Sequence, residues 1–307
     1  MIQTESVDIL DPKVDSIFKK IFGEKKELFI DFVNSVFADK NEKLVKSVTF
    51  LNTELSKDIA NGKECILDVR AELDDGSQIN IEVQVTPQKH YIKRNLFYWS
   101  RLYVEQISLG EHYKGLKRCV CINLINFDLF PENNSYHRML SGLDVDTHEV
   151  LAPDLEIHYL IIPKMPKGMY NGSMTRLEKW LLFFQAPEKK VLEELAMQDR
   201  LFEQAKETLY FLSHNPAERI AYTQRLKYLL DTISQLDDAK TEGEVKGKVE
   251  GIQIGKAEGI EIGKAEGIEI GKRENMIEIA KTMKASDFPM MSIIKVTKLS
   301  QEEIENL

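Results

Sequence analysis

Between Leu67 and Val85 the chain reads LDVRAELDDGSQINIEVQV. Two runs of alternating apolar and polar residues flank Asp-Asp-Gly, the pattern of a β-hairpin. Asp68, Arg70 and Glu72 share one side of the first run, and Asn80, Glu82 and Gln84 share one side of the second. Leu67, Val69, Ala71, Ile79, Ile81, Val83 and Val85 fill the other side. A two-residue loop at Asp75-Gly76 would set Asp68 against Val83 and mix the faces. A three-residue loop, Asp74-Asp75-Gly76, sets Asp68 opposite Glu82, Arg70 opposite Asn80 and Val69 opposite Ile81, with Gly76 where a left-handed residue is needed. Turn chemistry and polarity both select the second register. Two carboxylates opposed across strands repel unless a cation lies between them. Hard divalent ions such as Mg²⁺ or Mn²⁺ take oxygen ligands, commonly bridge to phosphate, and can activate water against a phosphodiester. The bland alternative is a solvated polar face, because both polar patterns are common on surfaces.

The elements that must position these residues follow from periodicity. LDPKVDSIFKKIFG predicts a first helix, with Asp11 as N-cap, Pro12 at the first helical position and Gly23 at the end. KELFIDFVNSVF predicts a second helix and VKSVTFLNTEL a strand before the hairpin. A long amphipathic helix follows over YIKRNLFYWSRLYVEQISLG, closed by Gly110. Two further strands, KRCVCINLINFDLF and LEIHYLIIPK, are joined by a polar loop of about twenty residues, and from 173 to about 238 the pattern is helical. The result is a mixed α/β core.

Composition narrows the class. The chain has 307 residues and a net charge of −9, which argues against indiscriminate nucleic-acid binding by its whole surface. Residues 88–118 are locally basic, with Lys89, Lys93, Arg94, Arg101, Lys114, Lys117 and Arg118 against Glu105 and Glu111. No apolar run is long enough for a membrane span and no N-terminal export signal is visible. Cys65, Cys119 and Cys121 lie in apolar runs without zinc spacing and read as buried, reduced thiols of a cytoplasmic protein. None of the six histidines shows metal-ligand spacing.

The tail is unusual. Glycine recurs at 243, 247, 251, 255, 259, 263, 267 and 271, half of the sixteen in the chain. Each costs a solitary helix roughly 1 kcal/mol relative to alanine. The Ile-x-Ile pairs at 252/254, 260/262 and 268/270 do not share one helix face. Helix, a repetitive β arrangement and linker all remain open, and order in this segment should depend on a partner. The expected partner is a second copy, giving a homo-oligomer, most simply a dimer.

These residues resemble a known family. Asp68, a hairpin, then Glu82-Val83-Gln84 is similar to the PD-(D/E)XK nuclease signature. More specifically, DPKVDSIFKKIFG, the hairpin, KRNLFYWSRLYVEQISLGEHYKGLKRCVCINLINF, YHRMLSGLDVDTHEVLAPDLEIHYLIIPK and LEKWLLFF resemble, in order from about residue 8 to 280, the Rpn group of recombination-promoting, transposase-like nucleases. The KAEGIEIG repeat is also typical of that group. The resemblance implies a restriction-endonuclease-like α/β core, α-β-β-β-α-β, with a helical C-terminal half and a glycine-repeat tail. It implies Asp68 and Glu82 as ligands of Mg²⁺ or Mn²⁺, the Val83 backbone carbonyl completing the site, and Asp15 as a more distant or water-mediated ligand. Gln84 stands where the wider superfamily has lysine; the Rpn group commonly has glutamine. It can orient water or a phosphate oxygen but brings no charge. Leu67 replaces the proline of the signature. His137 matches a family position and reads as structural.

The expectation is therefore a metal-dependent DNA endonuclease, with Asp68, Glu82 and Gln84 catalytic and Lys93, Arg94 and Arg101 touching DNA phosphates. Tyr98, Trp99 and Tyr103 are expected in the core or at an interface rather than stacked on bases. The expected division is 1–170 nuclease core, 171–238 helical extension, 239–275 glycine repeat and 276–307 C-terminal helical tail. The competing reading is a catalytically weak DNA-binding or oligomeric assembly protein that retains the fold.

Overall fold

The computed structural model describes residues 8–54, 67–165, 173–185 and 188–307. They form two compact units, Met1–Ile233 and Ser234–Leu307. In the first, α1 (Asp15–Phe22) and α2 (Lys26–Asp39) precede β1 (Val48–Phe50), β2 (Val69–Leu73) and β3 (Gln78–Gln84). Then come α3 (Tyr91–Val104), β4 (Cys119–Ile125), β5 (His137–Leu143) and β6 (Val150–Ile161). The helices α4 (Arg176–Phe184), α5 (Lys189–Gln198) and α6 (Arg200–His214) follow. Helix α7 (Pro216–Ala285) contributes to both units, and α8 (Met290–Thr297) and α9 (Gln301–Glu305) belong to the second.

The six strands form one sheet in the order β1-β2-β3-β4-β6-β5. Its centre, β3-β4-β6, is parallel, and β1, β2 and β5 run antiparallel to their neighbours. A parallel step needs a crossover, and α3 supplies it between β3 and β4. On one face Val69, Ala71, Ile79, Ile81, Val120 and Ile122 join a core with Phe18 and Phe22 of α1, Phe32 of α2 and Trp180 and Phe184 of α4. These rings are fully buried, each contributing roughly 1.5–3 kcal/mol by burial. On the opposite face Cys119, Cys121, Ile157 and Tyr159 lie with Tyr91 and Leu102 of α3. Tyr98, Trp99 and Tyr103 pack against this second cluster, as expected, and Trp99 Nε1 donates to the Cys119 carbonyl at 2.9 Å.

Several boundaries differ from the sequence reading. Helix α1 starts at Asp15, with Val14 as its N-cap, so neither Asp11 nor Pro12 opens it. The Asp11 side chain instead accepts from Lys13 N–H (2.9 Å), and the Asp11 carbonyl accepts from Val14 N–H (3.1 Å), making a separate turn. Gly23 does end the helix. Helix α3 stops at Val104, and Gly110 (φ +90°) serves a later turn. The polar connection before β6 contains β5, whose mixed burial along HRMLSGL hides the two-residue alternation. Leu67 belongs with Tyr91 on the second face, because the chain bends at Asp68 just before β2 begins. Cys119 and Cys121 are buried; Cys65 lies outside the described residues.

In the second unit the glycine segment is helical throughout, within α7. Past it, Ala280, Ile293, Leu299 and Ile304 make a small core with Ile277, Met283, Met290 and Ile294. Ser300 and Glu303 close a capping box on α9, and Lys284 Nζ donates to the carbonyls of Ile304 and Glu305, both at 3.0 Å. No helix among the described residues is long and apolar enough to cross a membrane.

Candidate active site

The hairpin adopts the three-residue loop. Val69 pairs with Ile81 and Arg70 with Asn80, Leu73 N–H donates to the Ser77 carbonyl at 2.8 Å, and Gly76 holds φ +83°. One residue beyond the ladder, this register brings Asp68 beside Glu82. Asp68 N–H donates to Glu82 Oε1 at 3.2 Å, and Val83 N–H donates to Asp68 Oδ2 at 2.9 Å. N–H and C=O of one residue in an antiparallel pair leave the same side of a strand, so the Val83 backbone presents both groups toward Asp68.

Most of this polar face is not solvated, Glu72 being its exposed end. It lies under α3, and Glu82 is 9% exposed, Asn80 1% and Arg70 8%. Asn80 Nδ2 donates to Glu82 Oε1 (3.3 Å). Asn123, the β4 partner of Glu82, accepts from Tyr91 Oη (3.3 Å) and donates to the His158 carbonyl (3.1 Å). Burial, reinforced by the neighbouring Asp68 charge, pushes the Glu82 carboxyl up to about 8. Burial also raises Asp68, against the opposing effects of the Val83 N–H and Lys19. Two adjacent carboxyls whose proton affinity burial raises are short of positive charge, and their oxygens suit a hard divalent ion. The residues present therefore fit the ion that the sequence implies.

The remaining predicted residues stand as follows. Gln84 lies on the same face as Glu82, but its Nε2 donates to the Thr86 carbonyl (2.9 Å) and Oγ1 (3.0 Å). Asp15 is near enough for its charge to raise Asp68, while its Oδ1 accepts from Arg225 Nε at 2.9 Å. Arg94 sits over the Tyr98 ring (4.8 Å) and donates to Gln88; its charge favours ionised Glu82. Lys93 is exposed and Arg101 half-buried on α3. Sequence reasoning missed Lys19, whose Nζ lies 3.2 Å from Asp68 Oδ1. It also missed Asn80 and Asn123 as buried polar supports. An Asn inside an apolar strand such as CVCINLI was the available signal.

A second cluster corrects the reading of the histidines. Ligand atoms of Glu42, Glu156 and His158 lie within 4.8 Å of one another, Glu156 and His158 two residues apart on β6 and Glu42 reaching them from the segment after α2. Both nitrogens of His158 are engaged, Nδ1 with His137 Nε2 (2.9 Å) and Nε2 with Glu156, while Arg118 binds both glutamates. His137 Nδ1 contacts Asp39 Oδ2 at 2.6 Å, so His137 is structural. Burial pushes Glu42 up to about 7, aided by Glu156. Burial, followed by the His158 charge, lowers His137 to about 4. A base held neutral in the fold protonates more readily when unfolded, so its contribution is lost as pH falls from about 6.5 toward about 4. The His137→Gln protein should accordingly lose less stability than wild type across that window, read as denaturant midpoints; parallel curves would rule this out.

A family model described as PD-(D/E)XK nuclease family transposase matches residues 12–239, across the sheet, the hairpin and the helices after it. The chain belongs to this family. The six-stranded sheet and long helical C-terminal half are consistent with a PD-(D/E)XK fold, and membership gives the chain a nuclease-like, transposase-associated character. Divalent metals are the general cofactors of PD-(D/E)XK nucleases, and DNA is the substrate such a family implies. No curated protein and no solved structure shows a significant match.

Proposed function

We propose that the protein is a Mg²⁺- or Mn²⁺-dependent DNA endonuclease. The observation that carries this reading is the burial of Asp68 beside Glu82, joined through the Val83 amide, with too little positive charge to balance both. Asp68, Glu82 and the Val83 carbonyl would hold the ion, with Asp15 behind them. A bound divalent ion would supply Lewis acidity toward water and the phosphodiester. Asn80 orients Glu82 through its amide. Gln84 would turn from Thr86 to place water or a phosphate oxygen, and Lys93, Arg94 and Arg101 would receive the backbone of DNA alongside α3.

In this reading residues 1–170 are the nuclease core, 171–238 a helical extension, 239–275 the pairing segment of a cytoplasmic dimer and 276–307 its terminal cap. Incubating purified protein with supercoiled plasmid across a series of divalent ions tests the activity. Nicking or linearisation with Mg²⁺ or Mn²⁺, abolished by chelator, is expected; intact plasmid at all ions, with DNA binding retained, would favour the binding-module alternative. Gln84→Ala should slow cleavage about 10- to 100-fold, as for a neutral positioning group. A wild-type rate in that variant removes Gln84 from the mechanism.

A further inference from the structure

The active-site strand brings no cation, yet the site contains one. Gln84 is neutral, and its amide is bonded to Thr86. Arg94 is engaged with Gln88 and the Tyr98 ring. Its charge acts on Glu82 from that position, whereas the ammonium group that touches a carboxylate of the pair comes from α1: Lys19 Nζ is 3.2 Å from Asp68 Oδ1. The backbone beneath it is fixed. Phe18, Ile21 and Phe22 are fully buried, and Gly23 closes the helix on Lys19 itself, its N–H donating to the Lys19 carbonyl at 2.7 Å, where a Cβ would lie 2.6 Å from that oxygen. The Lys19 side chain itself is 38% exposed, against 13% for Asp68. Its stem is rooted on a rigid helix and its ammonium group remains accessible.

Building on the nuclease reading, we infer that Lys19 is a catalytic residue, supplying from α1 the positive charge that position 84 lacks. It balances Asp68 in the metal-free protein and turns to a non-bridging oxygen of the scissile phosphate when Asp68 serves as a metal ligand. A lysine ammonium is a compact charge on a flexible stem, suited to exchanging one oxyanion for another. In the hydrolysis, the water oxygen bonds to phosphorus as the bond from phosphorus to the leaving oxygen breaks. One water proton goes to that leaving oxygen, and the other stays with the new monoester until it ionises. Lys19 keeps its proton throughout and meets the negative charge that develops on the phosphoryl oxygens.

Two effects of opposite sign test this assignment. Lys19→Met keeps the apolar stem and removes the charge. It should cleave plasmid about 100-fold more slowly than wild type. It should also bind Mn²⁺, followed by calorimetry without DNA, roughly fivefold more tightly, because a competing cation has left Asp68. Lys19→Arg should cleave faster than Lys19→Met. Wild-type cleavage by Lys19→Met, weaker Mn²⁺ binding in that variant, or Lys19→Arg no faster than Lys19→Met would each overturn the role of Lys19. A wild-type protein that neither binds Mn²⁺ nor cleaves DNA would instead overturn the nuclease reading, and this inference with it.

Discussion

Asp68→Ala and Glu82→Ala proteins should each lose divalent-ion-dependent DNA cleavage by about 10³-fold or more, with the fold intact. Either change leaves a single carboxylate where the proposed ion needs two, and no other acid lies on the described hairpin face near enough to replace it: Glu72 pairs at the far end, with Gln78. Glu82→Gln is the cleaner control for folding, because it keeps the side-chain volume and cannot ionise beside Asp68. Its thermal midpoint in chelator should equal or exceed that of wild type. The pH dependence follows from the same carboxyl. Glu82 is held protonated up to about 8 in the metal-free protein, chiefly by burial, and must release that proton before it can act as a ligand. Ion affinity should therefore fall about tenfold per unit as pH drops below about 8, flattening in Glu82→Gln. Cleavage at the wild-type rate by either alanine variant sinks the proposed site, and pH-independent ion affinity sinks the role of Glu82 as a ligand.

The convergence of Asp68 and Glu82 is legible in the sequence because hairpin register is local. Alternation, loop length and a left-handed glycine all act within twenty residues, and they agree. The burial of that face was not readable. Asn80 and Arg70 look solvent-facing in sequence; only the packing of α3, more than ten residues downstream, makes them interior. Lys19 was hidden for the same reason. Its partner is forty-nine positions away, and nothing local distinguishes it from its neighbour Lys20, which instead pairs with Glu218 at 2.8 Å. Strand β5 escaped because an edge strand need not alternate, and the Glu42-Glu156-His158 group because Glu42, after α2, meets β6 more than a hundred positions downstream.

The largest expected effect outside the active site concerns the glycine segment of α7, where helix propensity and exposure conflict. Eight glycines cost a solvated helix roughly 8 kcal/mol relative to alanine. Nothing lies within 4 Å of the Cβ positions built on the glycines from Gly243 to Gly271, so among the described residues no packing against these glycines offsets that cost. Ile252 is 50% exposed and Ile260 and Ile268 are each 59% exposed, which leaves apolar surface along the same stretch. A second copy of the segment would cover those residues and use the close approach that glycine permits, and its alternating Lys and Glu would complement their counterparts. The repeat also dictates the geometry. A four-residue period on a helix of 3.6 residues per turn drifts about 40° per glycine, so two copies that kept their glycines in contact would have to wind right-handedly. Deleting 234–307 should convert a dimer to a monomer while leaving plasmid nicking intact. Replacing Gly251, Gly259 and Gly267 together by leucine should raise helix propensity yet weaken association. Successive members of that set lie about 80° apart around the helix, so together the three sample roughly 160° of its circumference. Light scattering reads the result directly: a number of subunits unchanged in both variants means that the glycines make no interface and that the segment is a spacer.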